Sequence, residues 1–131
     1  MSEEAIDIVI DLGPLKELAG GDESFVAMLL LKMTMALPES YGIMEQAVGD
    51  SDWETLRASS HKAKSTFAYL SLDEMKNKLR DIEHDARELL DQQNEGQEVT
   101  DTKELPARVA DALVLGRKIL AQLEAEHAKL S

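Results

Sequence analysis

Apolar side chains recur every three or four residues along most of the chain, the spacing that places them on one face of an α-helix. A first stripe contains Leu56, Ser60, Ala63, Phe67 and Leu70. A second contains Leu72, Met75, Leu79, Ile82, Ala86 and Leu89, and a third contains Leu105, Val109, Ala112, Gly116, Ile119, Leu123 and Leu130. An earlier stretch carries Phe25, Met28, Leu29, Met33 and Leu37 at the same spacing. The pattern predicts an all-α fold, an antiparallel four-helix bundle with a short extra N-terminal helix across one end.

Glycine and proline mark where the first helices begin and end. The sequence Gly20-Gly21 predicts the end of the short first helix, and Asp22 is the predicted N-cap of the next one. Pro38 predicts either a kink or the start of a new helix, because its ring clashes with the preceding turn. In both cases we expect residues 39–48 to be helical.

Capping boxes predict the starts of the three remaining helices. Each pairs a capping side chain with a glutamate three residues later: Ser51-x-x-Glu54, Ser71-x-x-Glu74 and Asp101-x-x-Glu104. Residues 92–102 are polar and contain Gly96, so we expect a flexible connection there. A long C-terminal helix over residues 103–129 follows it.

Composition narrows the class of protein. The 131 residues are enough for one domain with one core. The chain has no cysteine, which excludes disulfides, thiolate metal sites and cysteine nucleophiles. Its net charge of −12 argues against nucleic-acid binding, which depends on neutralising phosphates. No segment has the features of a signal peptide or a membrane span, so we expect a cytoplasmic protein that does not bind membranes.

His61 is the leading candidate for chemistry. It lies about 130° around the helix from the centre of the first apolar stripe, so its ring should face solvent. Arg57 and Lys64, four residues before and three after, share its face. Small side chains at Ala58, Ser65 and Ala68 keep the surrounding surface low. A partner molecule could therefore approach the imidazole closely.

The segment His61-Lys62-Ala63-Lys64-Ser65-Thr66-Phe67 resembles the phosphorylation site of histidine-containing phosphotransfer (HPt) domains of bacterial multistep phosphorelays. The usual pattern in that family is a histidine, a lysine three residues later and then glycine. The resemblance covers residues 8–90 best and extends to the rest of the single domain, 1–131, only as a helical pattern. Two positions depart from it, since Ser65 replaces the usual glycine and Ser71 stands where a second glycine is frequent.

The resemblance implies a phosphocarrier and not an enzyme with its own ATP site. His61 would accept a phosphoryl group from the aspartyl phosphate of a response-regulator receiver domain and pass it to another receiver. A hybrid sensor histidine kinase would be the second kind of partner. The chain itself would need no cofactor, because the receiver domain brings its own Mg²⁺.

Individual residues can be given roles within that hypothesis. Lys64 should stabilise the phosphoryl group, and Arg57 is a further candidate for this role, since both charges favour the neutral ring and then the phosphorylated one. The side chains expected to contact the partner are Ala58, Lys62, Ser65, Ala68 and Tyr69.

Three alternatives belong to other classes. The protein could be an adaptor that binds receivers without transferring phosphate, or a helical dimerisation module, although we expect a monomer. It could also bind a metal ion, because Asp81-x-x-His84 and Glu124-x-x-His127 have the spacing that projects two ligands from one side of a helix. The apolar stripes do not supply the further inward-facing glutamates that such a site requires.

Overall fold

The predicted helices are present in the computed structural model, which describes residues 10–130. The five helices are α1 (Gly13–Leu18), α2 (Glu23–Gly49), α3 (Trp53–Tyr69), α4 (Asp73–Asn94) and α5 (Leu105–Leu130). The described residues contain no strand. Residues 8 and 9, where the best-matched segment begins, lie outside the described part of the chain. The all-α prediction is confirmed.

The four long helices form a closed bundle. Helix α3 packs most extensively against α4, α2 packs against both α5 and α3, and α4 packs against α5. The turns that join α2 to α3 and α3 to α4 are only three residues long, so these consecutive helices run antiparallel. The short helix α1 packs against α2. This arrangement is the predicted four-helix bundle with a short N-terminal helix.

The core is built from the predicted stripes of α3, α4 and α5. All five residues of the first stripe are buried, including the hydroxyl-bearing Ser60 and Leu70, which directly follows α3. The α4 and α5 stripes are also buried, apart from Leu72 and Leu130, which are partly exposed. Gly116 lets the ring of Tyr41 cross close to α5, since a Cβ at this position would lie 2.8 Å from the Tyr41 ring and hydroxyl. The Tyr41 hydroxyl donates a hydrogen bond to the Gly116 carbonyl oxygen at 3.0 Å.

The stripe predicted for α2 is wrong at two of its five positions. Phe25 and Met28 are exposed, whereas Leu29 and Met33 are partly buried against the core and Leu37 is fully buried. The buried residues of α2 are instead Val26, Leu30, Leu37, Tyr41, Met44 and Ala47. Residues 25–31 are apolar on every side of the helix, so the spacing of apolar positions could not identify the face that packs inward.

The helix boundaries confirm part of the prediction around α2. The Asp22 carboxylate caps the helix by accepting hydrogen bonds from the backbone N–H groups of Ser24 at 2.9 Å and Phe25 at 3.3 Å. Helix α2 continues through Pro38, so no new helix starts there and residues 39–48 are helical as predicted.

Both predicted serine caps are wrong by one residue. Ser51 and Ser71 adopt left-handed backbone conformations, with φ of 54° and 57°. At each turn the next N–H returns to the preceding helix, from Asp52 to the Ala47 carbonyl and from Leu72 to the Phe67 carbonyl. This is the Schellman arrangement that ends a helix. The N-cap of α3 is therefore Asp52, and that of α4 is Leu72, which makes no side-chain capping bond.

The connection between α4 and α5 is displaced from its predicted range of 92–102. Helix α4 continues to Asn94 and ends where Gly96, with φ of 76°, allows the same kind of terminus. Helix α5 begins at Leu105 because Lys103 and Glu104 both have positive φ and cannot be helical. The Asp101 carboxylate bonds the Lys103 N–H within the loop, so the predicted capping box is absent.

Candidate functional site

His61 lies in the middle of α3 with its ring facing outward. Its neighbours Ser60 and Ala63 are buried in the bundle, which fixes the rotation of the helix and directs position 61 away from the core. The His61 side chain is 63% exposed. The predicted exposure of the imidazole is therefore confirmed.

A carboxylate from α4 that was not predicted from the sequence anchors the ring. Glu83 Oε2 lies 2.8 Å from His61 Nδ1, and Glu83 Oε1 accepts a hydrogen bond from Lys64 Nζ at 2.9 Å. The Glu83 side chain is only 12% exposed, so little water competes for these bonds. One side chain of α4 therefore positions both residues of the predicted motif.

The ionisation of Glu83 determines which ring nitrogen carries the proton. Burial alone would raise the pKa of Glu83, but the hydrogen bonds from Lys64 and His61 outweigh it and hold that pKa below its ordinary value. The group is thus a carboxylate at neutral pH, and a carboxylate can only accept hydrogen bonds. Nδ1 of His61 must then be the donor. In the neutral ring Nε2 is left unprotonated, with its lone pair available to a partner.

The two predicted cations have different surroundings. Lys64 is half-buried and bonded to Glu83, on the same carboxylate as the imidazole. Arg57 makes a two-pronged pair with Glu54, at 2.8 and 3.3 Å, one turn earlier on α3. The hydrogen bond from Arg57 to Glu54 raises the pKa of Arg57. The structure thus brings Lys64 to the histidine, whereas Arg57 is bonded to a different acid, and its role in phosphoryl stabilisation stays a prediction.

The predicted contact residues form an open surface around the ring. Ala58, Lys62, Ser65, Ala68 and Tyr69 are all exposed. The Ser65 hydroxyl donates to the Lys62 carbonyl oxygen at 3.1 Å, within its own helix. Its hydrogen-bonding capacity is therefore partly used, and the surface beside His61 stays low.

Further cations from α4 lie next to this surface. A groove of about 280 Å³ is lined by Lys64, Arg80, Glu83, His84 and Arg87. The α4 residues of the groove are three, four and seven positions apart and so share one face of the helix. In a chain with a net charge of −12, this groove has more positive than negative side chains. It favours an anionic ligand or an acidic partner surface.

The predicted metal ligands are arranged differently from the expectation. His84 lies close to Asp85 and Glu88, with ligand atoms within 4.8 Å of one another, and this is the group of three potential ligands found among residues 10–130. Asp81 instead contacts Arg80. Asp85 is paired with Arg108, and Glu88 with Lys103. The carboxylates of the group are therefore already neutralised by cations.

The sequence did not predict Glu83, Arg80 or Arg87 as residues of the site. A signal for Glu83 exists, because it follows the buried Ile82 and lies about 80° from the centre of the α4 stripe, at the edge of the packed face. A carboxylate at such an edge meets a neighbouring helix. Which residue it meets depends on the relative position of α3 and α4, which the stripes do not specify.

Comparison of the chain with protein-family models, with curated proteins and with solved structures finds no match in any of the three. The class of site is therefore defined by the bundle and by its side chains: an exposed histidine on a helix, held through one ring nitrogen by a carboxylate that also binds a lysine. None of the helices within residues 10–130 is long and apolar enough to cross a bilayer.

Proposed function

We propose that this protein is a phosphoryl carrier of the histidine phosphotransfer type, with His61 as the group that is phosphorylated. One observation supports this most strongly: Glu83 holds His61 Nδ1 at 2.8 Å, while the ring is largely exposed. A structural histidine in a hydrogen-bond network needs no open face. A histidine that reacts through Nε2 needs both the anchored Nδ1 and the open face.

The accepting step follows from this geometry. The Nε2 lone pair attacks the phosphorus of an aspartyl phosphate on a receiver domain, and the bond between phosphorus and the acyl oxygen breaks. The aspartate leaves as a carboxylate with the electron pair of that bond. Nδ1 keeps its proton, so the phosphorylated ring is an imidazolium whose positive charge is stabilised by Glu83. Attack of a second receiver aspartate on the same phosphorus reverses the step and regenerates neutral His61.

Lys64 supplies charge to the transferred group. An ammonium has three N–H donors, so Lys64 can keep its bond to Glu83 and donate another to a phosphoryl oxygen. Phosphoryl transfer depends on positioning and on neutralising the charge of the equatorial oxygens more than on covalent assistance. The short link Lys64–Glu83–His61 fixes the position of both groups.

The proposed partner is a receiver domain, whose acidic pocket suits the surroundings of His61. The groove with Lys64, Arg80 and Arg87 offers positive charge on one side of the ring. The small exposed side chains of Ala58, Ser65 and Ala68 allow close contact on α3. Opposite charges on the two surfaces would speed association and select the orientation.

The proposal is tested by incubating the chain with a receiver domain phosphorylated by acetyl phosphate in the presence of Mg²⁺. We expect label to move to this chain, to survive alkali and to be lost in acid, as phosphohistidine does. His61→Gln should remove the label without unfolding the bundle, because the side chain is exposed. His84→Gln is the matched control, since His84 is similarly exposed and lines the groove next to His61.

Two outcomes would contradict the proposal. One is a chain that takes up no label from any phosphorylated receiver tested. The other is label that persists in His61→Gln and disappears in His84→Gln.

A further inference from the structure

The outward face of α2 carries an apolar stripe on the opposite side from its core residues. Met28, Met35 and Ile43 are among the exposed large apolar side chains, and Met35 is 70% exposed. Lys32 and Glu39 lie between them on the same face, at spacings of three or four residues. We call Met28, Lys32, Met35, Glu39 and Ile43 the outer stripe. Methionine adapts well to irregular apolar contacts, and exposed apolar patches of this kind mark interaction sites.

The charge of the outer stripe sets it apart from the rest of the surface. The chain as a whole has a net charge of −12, but the outer stripe has one lysine and one glutamate. Among residues 10–130, neither Lys32 nor Glu39 makes an ion pair, although most other lysines and arginines do. Both charges are thus free to pair with a molecule that covers this face.

The outer stripe of one chain is complementary to the same stripe of a second chain that runs in the opposite direction. When two copies of α2 pack antiparallel, a two-fold axis between residues 35 and 36 brings each position opposite its mirror position in the second copy. Lys32 then faces Glu39 of the second copy, and Met28 faces Ile43 of the second copy. Met35 lies at the centre beside Ala36. The symmetry repeats each pair, as an isologous contact requires.

From this complementarity we infer that the outer stripe is a homodimer interface, with a second copy of the chain as its occupant. The contact extends along α2 from Met28 to Ile43, about 22 Å at 1.5 Å per residue. This is small for a protein interface, and two strongly acidic chains repel each other, so the dimer is weak and reversible. The monomer expected from the sequence is then the form present at low concentration.

The interface is separate from the proposed phosphotransfer site. His61 is on α3, and its anchoring partner Glu83 is on α4. Pairing through α2 leaves both His61 side chains of the dimer accessible. The inference therefore does not depend on phosphoryl transfer, and its test uses the oligomeric state alone.

Sedimentation equilibrium of the full chain from ~10 µM to ~1 mM, the range suited to weak interfaces, tests the inference. We expect the parent to dimerise and both Lys32→Glu and Glu39→Lys to weaken the dimer at least tenfold, because each places like charges opposite one another. An equimolar mixture of the two variants should form heterodimers, since positions 32 and 39 are both acidic in one chain and both basic in the other. The double variant, with both charges exchanged, should dimerise within about threefold of the parent.

Lys118→Glu on α5 makes the same charge change on another exposed face and should leave the dimer unaffected. Thermal melts followed by circular dichroism should be unchanged in every variant, because the substituted side chains are exposed. A parent chain that stays monomeric throughout would overturn the inference and assign the outer stripe to a different partner. Failure of the two single variants to associate with each other would overturn the antiparallel pairing.

Discussion

A histidine has two ring nitrogens, and the hydrogen bond made by one decides how the other can react. In this chain the bond between Nδ1 and Glu83 makes Nε2 the nucleophile of the proposed reaction. The carboxylate does this only while it is ionised, and its bonds to Lys64 and His61 keep it so. The chemistry of His61 therefore depends on a residue 22 positions away in the sequence.

Glu83→Gln tests this dependence, because glutamine has almost the same shape as glutamate but carries no charge. A glutamine can donate an amide N–H to Nδ1, which holds the ring in the tautomer whose Nε2 is protonated. We expect transfer from a phosphorylated receiver to slow by about tenfold or more, since a misplaced proton costs far more than that in catalytic triads. Single-turnover kinetics measure the change. Glu88→Gln, which neutralises another lysine-paired carboxylate of α4, is the control and should transfer at the parent rate. Equal rates for the parent and Glu83→Gln would exclude the proposed role of Glu83 in holding the proton on Nδ1.

Glu83→Gln also tests how the stability of the fold depends on pH. The pKa of folded Glu83 lies below its ordinary value of 4.5, so the bonds of its carboxylate stabilise the fold above that pH and are lost as pH falls through the folded pKa. Urea unfolding should show the parent more stable than Glu83→Gln at neutral pH. The difference in the free energy of unfolding should shrink below about pH 4.5. A difference that grows as the pH falls would show that ionised Glu83 does not stabilise the fold.

Lys64 and Lys62 should differ in the step that they affect. Lys64→Ala removes the cation bound to Glu83, and we expect transfer at saturating receiver to slow by one to two orders of magnitude, about 1.4 kcal/mol in the barrier for each factor of ten. Lys62→Ala removes an exposed charge of the docking surface. It should raise the receiver concentration needed for half-saturation and leave the saturated rate unchanged. If Lys64→Ala changed only the half-saturating concentration and Lys62→Ala slowed the saturated rate, Lys64 would have no role in the transfer step.

At the scale of elements, the turns on both sides of α3 use serine where the backbone is left-handed. Ser51 and Ser71 each end a helix with positive φ, so neither can cap the helix that follows. The capping-box pattern located both turns within one residue, but it could not show that the serine belongs to the end of one helix and not to the start of the next.

Replacement by glycine should therefore have opposite effects at two serines. Ser71→Gly relieves a left-handed conformation that costs an ordinary residue about 1–2 kcal/mol, so we expect a net gain of roughly 0.5–1 kcal/mol after the entropy of the unfolded chain is included. Ser65→Gly lies inside α3 and should cost roughly 0.5 kcal/mol in helix propensity. Chemical denaturation of both variants measures the two changes. Destabilisation by Ser71→Gly would show that its side chain supports the turn.

Helix α2 shows where periodicity ceases to be informative. The stripes of α3, α4 and α5 have polar opposite faces, and they predicted the core correctly. Helix α2 is apolar on two faces, so the position of Phe25 and Met28 could not be derived from spacing alone. The buried face of α2 is set by what it packs against, such as the close approach of Tyr41 to Gly116 on α5.

At the scale of the whole molecule, the bundle brings Glu83 of α4 to His61 and Lys64 of α3, a combination that the sequence did not predict. The fold, the exposed His61 and the nearby Lys64 were predicted because they depend on the periodicity within single helices. Glu83, Arg80 and Arg87 were missed because their role depends on how α3 and α4 lie against each other. Local periodicity predicts faces, whereas a site between two helices depends on their alignment.

Ser65→Gln tests whether a partner docks over this assembled face. The longer side chain would stand beside the imidazole on a surface that is otherwise low, and position 65 is exposed. We expect transfer from a receiver to be blocked while the melting temperature stays close to that of the parent. Phosphorylation by a small donor such as phosphoramidate should persist, because it needs little space. Parent-like transfer from the receiver would place the docking surface elsewhere on the bundle.

The position of the phosphoryl group on the ring tests the proposed phosphoryl transfer through His61 most directly. Long-range ¹H–¹⁵N correlation of the imidazoles in ¹⁵N-labelled, phosphorylated protein identifies both the histidine and the nitrogen that is modified. We expect a phosphorus bonded to Nε2 of His61, with Nδ1 protonated and bound to Glu83. Phosphorylation at Nδ1, or at His84 or His127 with His61 unmodified, would contradict it.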